Sequence, residues 1–389
     1  MFWQKDQKEA TDKIGLILSG GGARAAYQVG VLKAIADSLP KDAINPFPII
    51  CGTSAGAINA AALGVYASQY REAVWRLVHV WGNFHVDQVF RADGWGLSAS
   101  VVHWMTANIF GRTSHDPVAL LDRAPLSRLL NHYLPFEKVQ SSIDSGSLYG
   151  LCISASSYST GNSVAFYQGH ESIEPWARAN RIGVPTIINQ EHLMASSAIP
   201  FIFAPHKLDG EYYGDGSMRQ SSPTSPALHM GADKLFVIGV KHEEPYSALQ
   251  SRTTDYPTLG QVAGHVLDSI FLDSVSTDLE RLERVNKTFS QIPDRHIPDD
   301  SATMRKVDAL FISPSKDLYG IAERHTDLMP RSVRLFMKAL GASKKRGSNL
   351  ISYLLFEKAY CRELIALGYS DTMERKEEVL SFMNVESKP

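Results

Sequence analysis

Three cysteines in 389 residues are too few for a disulfide framework. Their odd number, at Cys51, Cys152 and Cys361, fits free thiols in a reducing compartment. No stretch of 18 consecutive apolar residues occurs, so a membrane-spanning helix is not expected. Met1 to Lys13 alternates charges and lacks the apolar core of a cleaved export signal. The expectation is a cytoplasmic protein able to visit a membrane surface, with secretion by a route without a cleaved signal left open. A formal net charge of −2 offers no general electrostatic footprint for nucleic acid. The chain also shows no internal repeat, low-complexity tract or metal-ligand cluster, and no Gly-Lys-Ser/Thr follows its glycine loop as a Walker phosphate loop requires. Neither a metal nor a cofactor is expected.

What the chain does have is glycine in the right places. Gly20-Gly21-Gly22-Ala23-Arg24-Ala25 follows the apolar run Ile14–Leu18, and Gly52-Thr53-Ser54-Ala55-Gly56 follows Pro48-Ile49-Ile50-Cys51. Each precedes a helix-like stretch. With Gly and Ser near 7% of residues, Gly-x-Ser-x-Gly arises by chance on the order of 0.1 times in a chain this long, so alone it is weak. A second glycine turn at another strand-to-helix switch strengthens it. A loop rich in backbone N–H donors beside a serine on a tight turn supplies an oxyanion trap next to a nucleophile, the two parts acyl transfer needs. Ala55, Ala57, Ala60, Ala61, Ala62 and Leu63 then start a small-residue helix that can pack close to a sheet and bring its positive end near the serine.

A serine hydroxyl near its free pKa is a poor nucleophile, so a base must lie within reach. Gly214-Asp215-Gly216-Ser217 offers a carboxylate in a glycine turn, although an Asp-Gly turn by itself is usually only a turn. Ser217 stands where it could hydrogen-bond Asp215 and shift its basicity. His229, His242, His265, His296 and His325 follow the acid in triad order, but none has a local context that singles it out. A Ser-Asp dyad is the simpler reading. The first glycine loop also fits the dinucleotide fingerprint Gly-x-Gly-x-x-Ala, which expects an acidic residue closing the second strand. Here that strand runs into Cys51-Gly52-Thr53-Ser54 instead.

Gly-Gly-Gly-x-Arg, Gly-x-Ser-x-Gly and a later Asp-Gly, in this order, resemble the patatin-like phospholipases, which are similar in core architecture to cytosolic phospholipase A2. Met194-Ala195-Ser196-Ser197-Ala198-Ile199-Pro200-Phe201-Ile202-Phe203 looks like the family's stretch before its aspartate. The resemblance covers roughly residues 14 to 240. It implies Ser54 as nucleophile, Asp215 as general base, and the amides of Gly21 and Gly22 as the oxyanion hole. Gly20, Arg24, Gly52, Gly56 and Gly216 fall on motif positions. Two departures are Ala25, where many members have Gly, and Ser217, where many have Gly or Ala. The implied function is hydrolysis of phospholipid or related acyl-lipid esters, with a thioesterase or neutral-lipid hydrolase as variants. A non-catalytic lipid-binding or scaffold protein keeping the fold is the competing class, and dinucleotide binding a more distant one. No protein activator can be named.

Alternating elements in the first half predict an α/β fold, a mostly parallel sheet flanked by helices in a three-layer core, with active residues at the strand ends. Strands are expected at 14–18, 48–51 and 235–240, helices at about 24–38, 54–66 and 68–82, and a hairpin at 148–158 and 163–168 around Ser159-Thr160-Gly161-Asn162. Between them, Val101, Val102, Trp104, Met105, Ile109 and Phe110 form an apolar segment that reads either as a core helix or as a lid or lipid-docking element. A long amphipathic pattern from Leu259 to Phe289, a strand at Val307 to Ile312 and helices over 331–382 make residues 258–385 a mainly helical extension packed on the 14–240 core. Lys344-Lys345-Arg346 is a short basic run, usually no more than a solvated loop.

Overall fold

The computed structural model describes residues 12–91, 121–200, 202–242, 256, 259–271, 273–291, 305–339 and 348–385. The apolar segment around Trp104, the basic run at 344–346, His296 and most of the polar stretch 291–306 lie outside them.

Ile14–Leu18 (β1) is buried along its whole length, as a strand covered on both faces must be. It sits mid-sheet between β2 (Ile49–Thr53) and β9 (Lys234–Ile238), parallel to both. The sheet has ten strands in the order β10-β9-β1-β2-β3-β4-β6-β5, with β8 (Glu211–Asp215) paired to β3 (Gly150–Ser157) and to β7 (His206–Leu208). From β10 (Asp308–Ile312) through β3 the pairing is parallel. The expected hairpin is present, β3 pairing antiparallel with β4 (Ser163–Gly169) from Gly150↔Gly169 to Ser156↔Ser163. β5 (Trp176–Arg178) and β6 (Arg181–Pro185) finish that edge. The turn joining β7 to β8 is Asp209-Gly210, both at positive φ (50° and 88°), the backbone that lets a tight hairpin match strand twist.

The fold is thus a mostly parallel sheet flanked by helices. α1 (Ala26–Ser38), α2 (Ala55–Val65) and α3 (Tyr70–Trp81) follow β1 and β2. The C-terminal helix Lys358–Glu374 packs on α1, and the buried Tyr27 hydroxyl donates to Asp371 Oδ2 at 2.9 Å across that contact. β10, although late in the chain, completes the sheet edge beside β9. Boundaries differ from expectation where glycine redirects the backbone: a 3-10 turn, Gly22–Ala25, precedes α1, because Gly22 lies at φ +56° before the helical path begins. The amphipathic pattern after residue 258 resolves into two helices, Leu259–Phe271 and Asp273–Phe289. Among the described residues no helix is long and apolar enough to cross a membrane.

Candidate active site

β1 and β2 are neighbours in register, so the segments leaving their carboxyl ends meet. These are the glycine loop and the Ser54 turn, placed at the strand ends where α/β sheets present their functional groups. Ser54 itself has φ 55°, ψ −126°, a backbone that a side chain adopts only under strain, costing of order 1–3 kcal/mol. The strain is enforced from both sides. A Cβ at Gly52 would stand 2.5 Å from the Gly56 carbonyl oxygen, and one at Gly56 would run into the carbonyls of Leu18 and Ser19. Only glycine lets α2 start this close to β1. A Cβ at Gly20 would fall 2.5 Å from Ser217 Oγ and 3.2 Å from Ser54 Cβ, which puts the glycine loop directly against the serine.

Asp215 closes β8, opposite Ala155 of β3, and begins the 3-10 turn Gly216–Met218. Its N–H donates to the Ala198 carbonyl at 2.9 Å. The side chain is fully buried. Oδ1 accepts the Ser217 N–H at 3.0 Å, while Oδ2 is buried and, among the described residues, has no hydrogen-bond partner. Burial pushes the carboxyl pKa up to about 7, against the opposing pull of the Ser54 hydroxyl, of Ser217 through both its N–H and its hydroxyl, and of the Arg123 charge. The Ser54 hydroxyl therefore lies close enough to act on this carboxyl without satisfying Oδ2. A carboxyl poised near neutrality with an open oxygen beside a strained serine can take a proton.

Around this pair lies a set of buried and half-buried polar residues, few of which any local motif announced. The Ser54 N–H donates to Ser196 Oγ at 2.9 Å. Gln220 accepts from the Thr53 hydroxyl at 2.7 Å and donates to Ser154 Oγ at 3.0 Å, joining the end of β2 and the middle of β3 to the chain after Asp215. Asn59 of α2 accepts from Trp81 Nε1 and donates to Gln28 and to the Ala25 carbonyl, and Gln28 donates to the Ser19 carbonyl, so one network grips both ends of the glycine loop. Arg123 donates to the carbonyls of Met194 and Ala204, bracketing the segment that carries Ser196 and Ala198. Burial lowers its pKa to about 10, with Asp215 and Glu191 pulling the other way, so it stays charged at neutral pH. Ser196 alone had a sequence signal, in the stretch before the aspartate.

Arg24 turns away from Ser54. Its guanidinium, 1% exposed, meets Ser352, Asn349 and Asp268 of the C-terminal helices. Gly21 and Gly22 form the bend above it, and among the described residues the Gly20 and Gly21 N–H groups donate to no backbone carbonyl. Gly216 lies under Ser154, leaving no room for a side chain.

The four described candidate histidines lie apart from this cluster. His229 binds the Ser225 carbonyl and stacks on Trp176, His242 binds the Pro314 carbonyl, His325 pairs with Glu363, and His265 is exposed on its helix. Among the described residues no group of three or more His, Cys, Asp or Glu is placed to hold a metal ion. Cys51 and Cys152 face each other across β2 and β3 as buried free thiols.

Residues 16–228 match the sequence profile described as patatin-like phospholipase. A triacylglycerol lipase of Schizosaccharomyces pombe, ptl3, is 27% identical over 197 residues, covering 50% of this chain and 35% of that protein. A lysophospholipase of Aspergillus terreus, nte1, is 52% identical over 48 residues, 12% of this chain and 3% of that one. The chain thus spans only a minor part of the length of these relatives. VipD from Legionella pneumophila aligns over 92% of this chain and 67% of its own at 12% identity, with a TM-score of 0.30.

Proposed function

The chain belongs to the patatin-like phospholipase family, and from that premise we propose that it is a lipid acyl hydrolase working through a Ser54–Asp215 dyad. The observation that carries the reading is the buried Asp215 carboxyl, with a pKa near 7 and one unpartnered oxygen, acted on by the hydroxyl of a serine held at φ 55°. Asp215 takes the Ser54 proton as Oγ attacks an ester carbonyl. The carbonyl oxygen becomes an oxyanion received by the Gly21 and Gly22 amides, and α2, starting at Ala55, adds its positive end. Collapse returns the proton to the departing alcohol and leaves an acyl-serine, which water, deprotonated by the same carboxylate, then releases. Every proton moves through one carboxyl, so no metal takes part in this scheme. The 14–240 region carries the chemistry, and 258–385 packs on it as a mainly helical subdomain.

Acyl-lipid esters are the substrate class. The triacylglycerol lipase and the lysophospholipase similar to this chain act, by their names, on such esters, and a phospholipid or neutral glyceride at a membrane surface fits both. The test is labelling with a fluorophosphonate probe, read by peptide mapping, beside hydrolysis of a phospholipid and a triacylglycerol by the wild type and Ser54→Ala. Labelling at Ser54 and turnover lost in Ser54→Ala are expected. A folded wild type that neither labels nor hydrolyses would leave a lipid-binding protein as the reading.

A further inference from the structure

The C-terminal helices carry no motif of their own, yet they reach the glycine loop. Gly22, at φ +56°, packs so tightly on the Tyr353 carbonyl that a Cβ would overlap its oxygen, and a Cβ at Gly20 would stand 2.9 Å from the Phe271 ring. Two residues on, Arg24 donates to Ser352 Oγ from Nε at 2.9 Å and from Nη2 at 2.6 Å, and its Nη2 lies 3.4 Å from both the Asn349 carbonyl and Asp268 Oδ1. Its flat guanidinium packs over the rings of Tyr353 and Tyr319, at 3.9 and 4.4 Å from their centroids. Such planar stacking with several directed donors orients an arginine more firmly than a point charge can.

Asp268, on Leu259–Phe271, is the hub of this arrangement. Oδ2 accepts from Asn349 Nδ2 at 2.6 Å, and Oδ1 accepts from the Tyr353 hydroxyl at 2.9 Å as well as facing Arg24. One carboxylate thereby neutralises a buried cation and aligns the two residues whose backbone carbonyls touch Arg24 and Gly22. A buried charge left unpaired is costly, and misplacing catalytic groups by about 1 Å can cost 10²-fold in rate. The loop's donors therefore depend on a carboxylate some 250 residues later in the chain.

We infer that Leu259–Phe271 and Ser348–Leu354 clamp the oxyanion loop through Arg24 and Gly22, and that Asp268 is the positioning residue that sets the clamp. This rests on the assignment of the Gly21 and Gly22 amides as the oxyanion hole. Asp268 acts by holding those amides where the oxyanion forms. Arg24 is thus a structural bolt, pointing into the C-terminal helices.

Asp268→Asn and Tyr353→Phe test this on the full chain, with a soluble ester, well below the melting temperature. Loss of an oxyanion donor outright costs about 10²–10³ in turnover, so displacement of the donors by Asp268→Asn should lower kcat by roughly 10–100-fold. KM should stay within about twofold, because the ground-state ester makes little use of the hole. The acid limb of the pH profile, which reports Asp215, should not move. Tyr353→Phe, which keeps the ring and removes one hydrogen bond to Asp268, should give the same pattern more weakly and carries the test if Asp268→Asn does not fold. A lower melting temperature with unchanged kcat, or a rise in KM alone, would overturn the clamp. Wild-type turnover that depends on Ser54 while both variants keep full kcat overturns the clamp only; a wild type without turnover or Ser54 labelling overturns the hydrolase reading and the clamp together.

Discussion

The backbone N–H of Ser54 donates to the side-chain oxygen of Ser196, 142 residues later, at 2.9 Å. Both residues are buried, and Ala198, two residues beyond Ser196, accepts the N–H of Asp215. One short segment therefore holds the serine turn and the end of β8 to each other. Ser196→Ala should leave the Ser54 N–H unsatisfied, at about 1–3 kcal/mol of stability. Turnover should fall as well, because the serine loses its register with Asp215. Thermal melting beside kcat checks both; an unchanged melting temperature would mean that the N–H finds another acceptor.

The positive φ of Ser54 makes a second expectation. Ser54→Gly should relieve the backbone strain and raise stability by roughly 1–3 kcal/mol while abolishing turnover. Ser54→Ala, which keeps a Cβ, should abolish turnover with little change in stability. A denaturant melt that ranks alanine above glycine would contradict the idea that this turn stores strain.

With Asp215 as the base, stability and activity should respond oppositely to pH. Its folded pKa, about 7, lies above the ordinary 3.8, so between these values the native state holds a proton that the unfolded chain has released. Stability contributed by that proton is complete below about pH 4 and is lost as pH rises through 7, a span worth on the order of 4 kcal/mol. Activity runs the other way, kcat/KM climbing through pH 7 as the carboxyl becomes a base. Asp215→Asn should flatten this part of the stability profile, be more stable than wild type at pH 8, and be inactive. Denaturant melts from pH 4 to 9 would show a parallel pair of curves if Asp215 did not titrate in this range.

Arg123 should move that pH limb. Its charge draws the Asp215 pKa down, so Arg123→Gln should shift the acid limb of kcat/KM to higher pH. The loss of activity should be greater at pH 6 than at pH 9. The lost bonds to the Met194 and Ala204 carbonyls should also lower the melting temperature. An unshifted limb with lowered stability would restrict Arg123 to holding the 194–204 segment.

Much of the site was legible along the chain because its geometry is local. Gly52, Ser54 and Gly56 fall within five residues of one turn, so their pattern can be read along the chain although β1 supplies part of the crowding at Gly56, and Ile14–Leu18 declares a doubly covered strand by its unbroken apolar run. Asp215 could be named only through its company, since Asp-Gly turns are common and its fully buried carboxyl is a property of β3 and β8 together. Arg123, Gln220 and Asn59 lie in unremarkable stretches, and nothing in their neighbours marks them as polar groups that the fold would bury or, for Gln220, half-bury.

The sequence by itself determined the elements and the order of the candidate groups: two strand-to-helix turns, a serine and a later aspartate. Tertiary structure alone decided the surroundings of those groups. Solvent exclusion, which raises the Asp215 pKa, depends on every chain segment packed over it, and the hold on the glycine loop depends on Asp268, Ser352 and Tyr353, whose separation from Gly22 and Arg24 in the chain carries no local signature. Arg24 shows the difference plainly: its motif position was readable, but its direction, away from Ser54 and into the C-terminal helices, follows from which buried partners could satisfy a guanidinium.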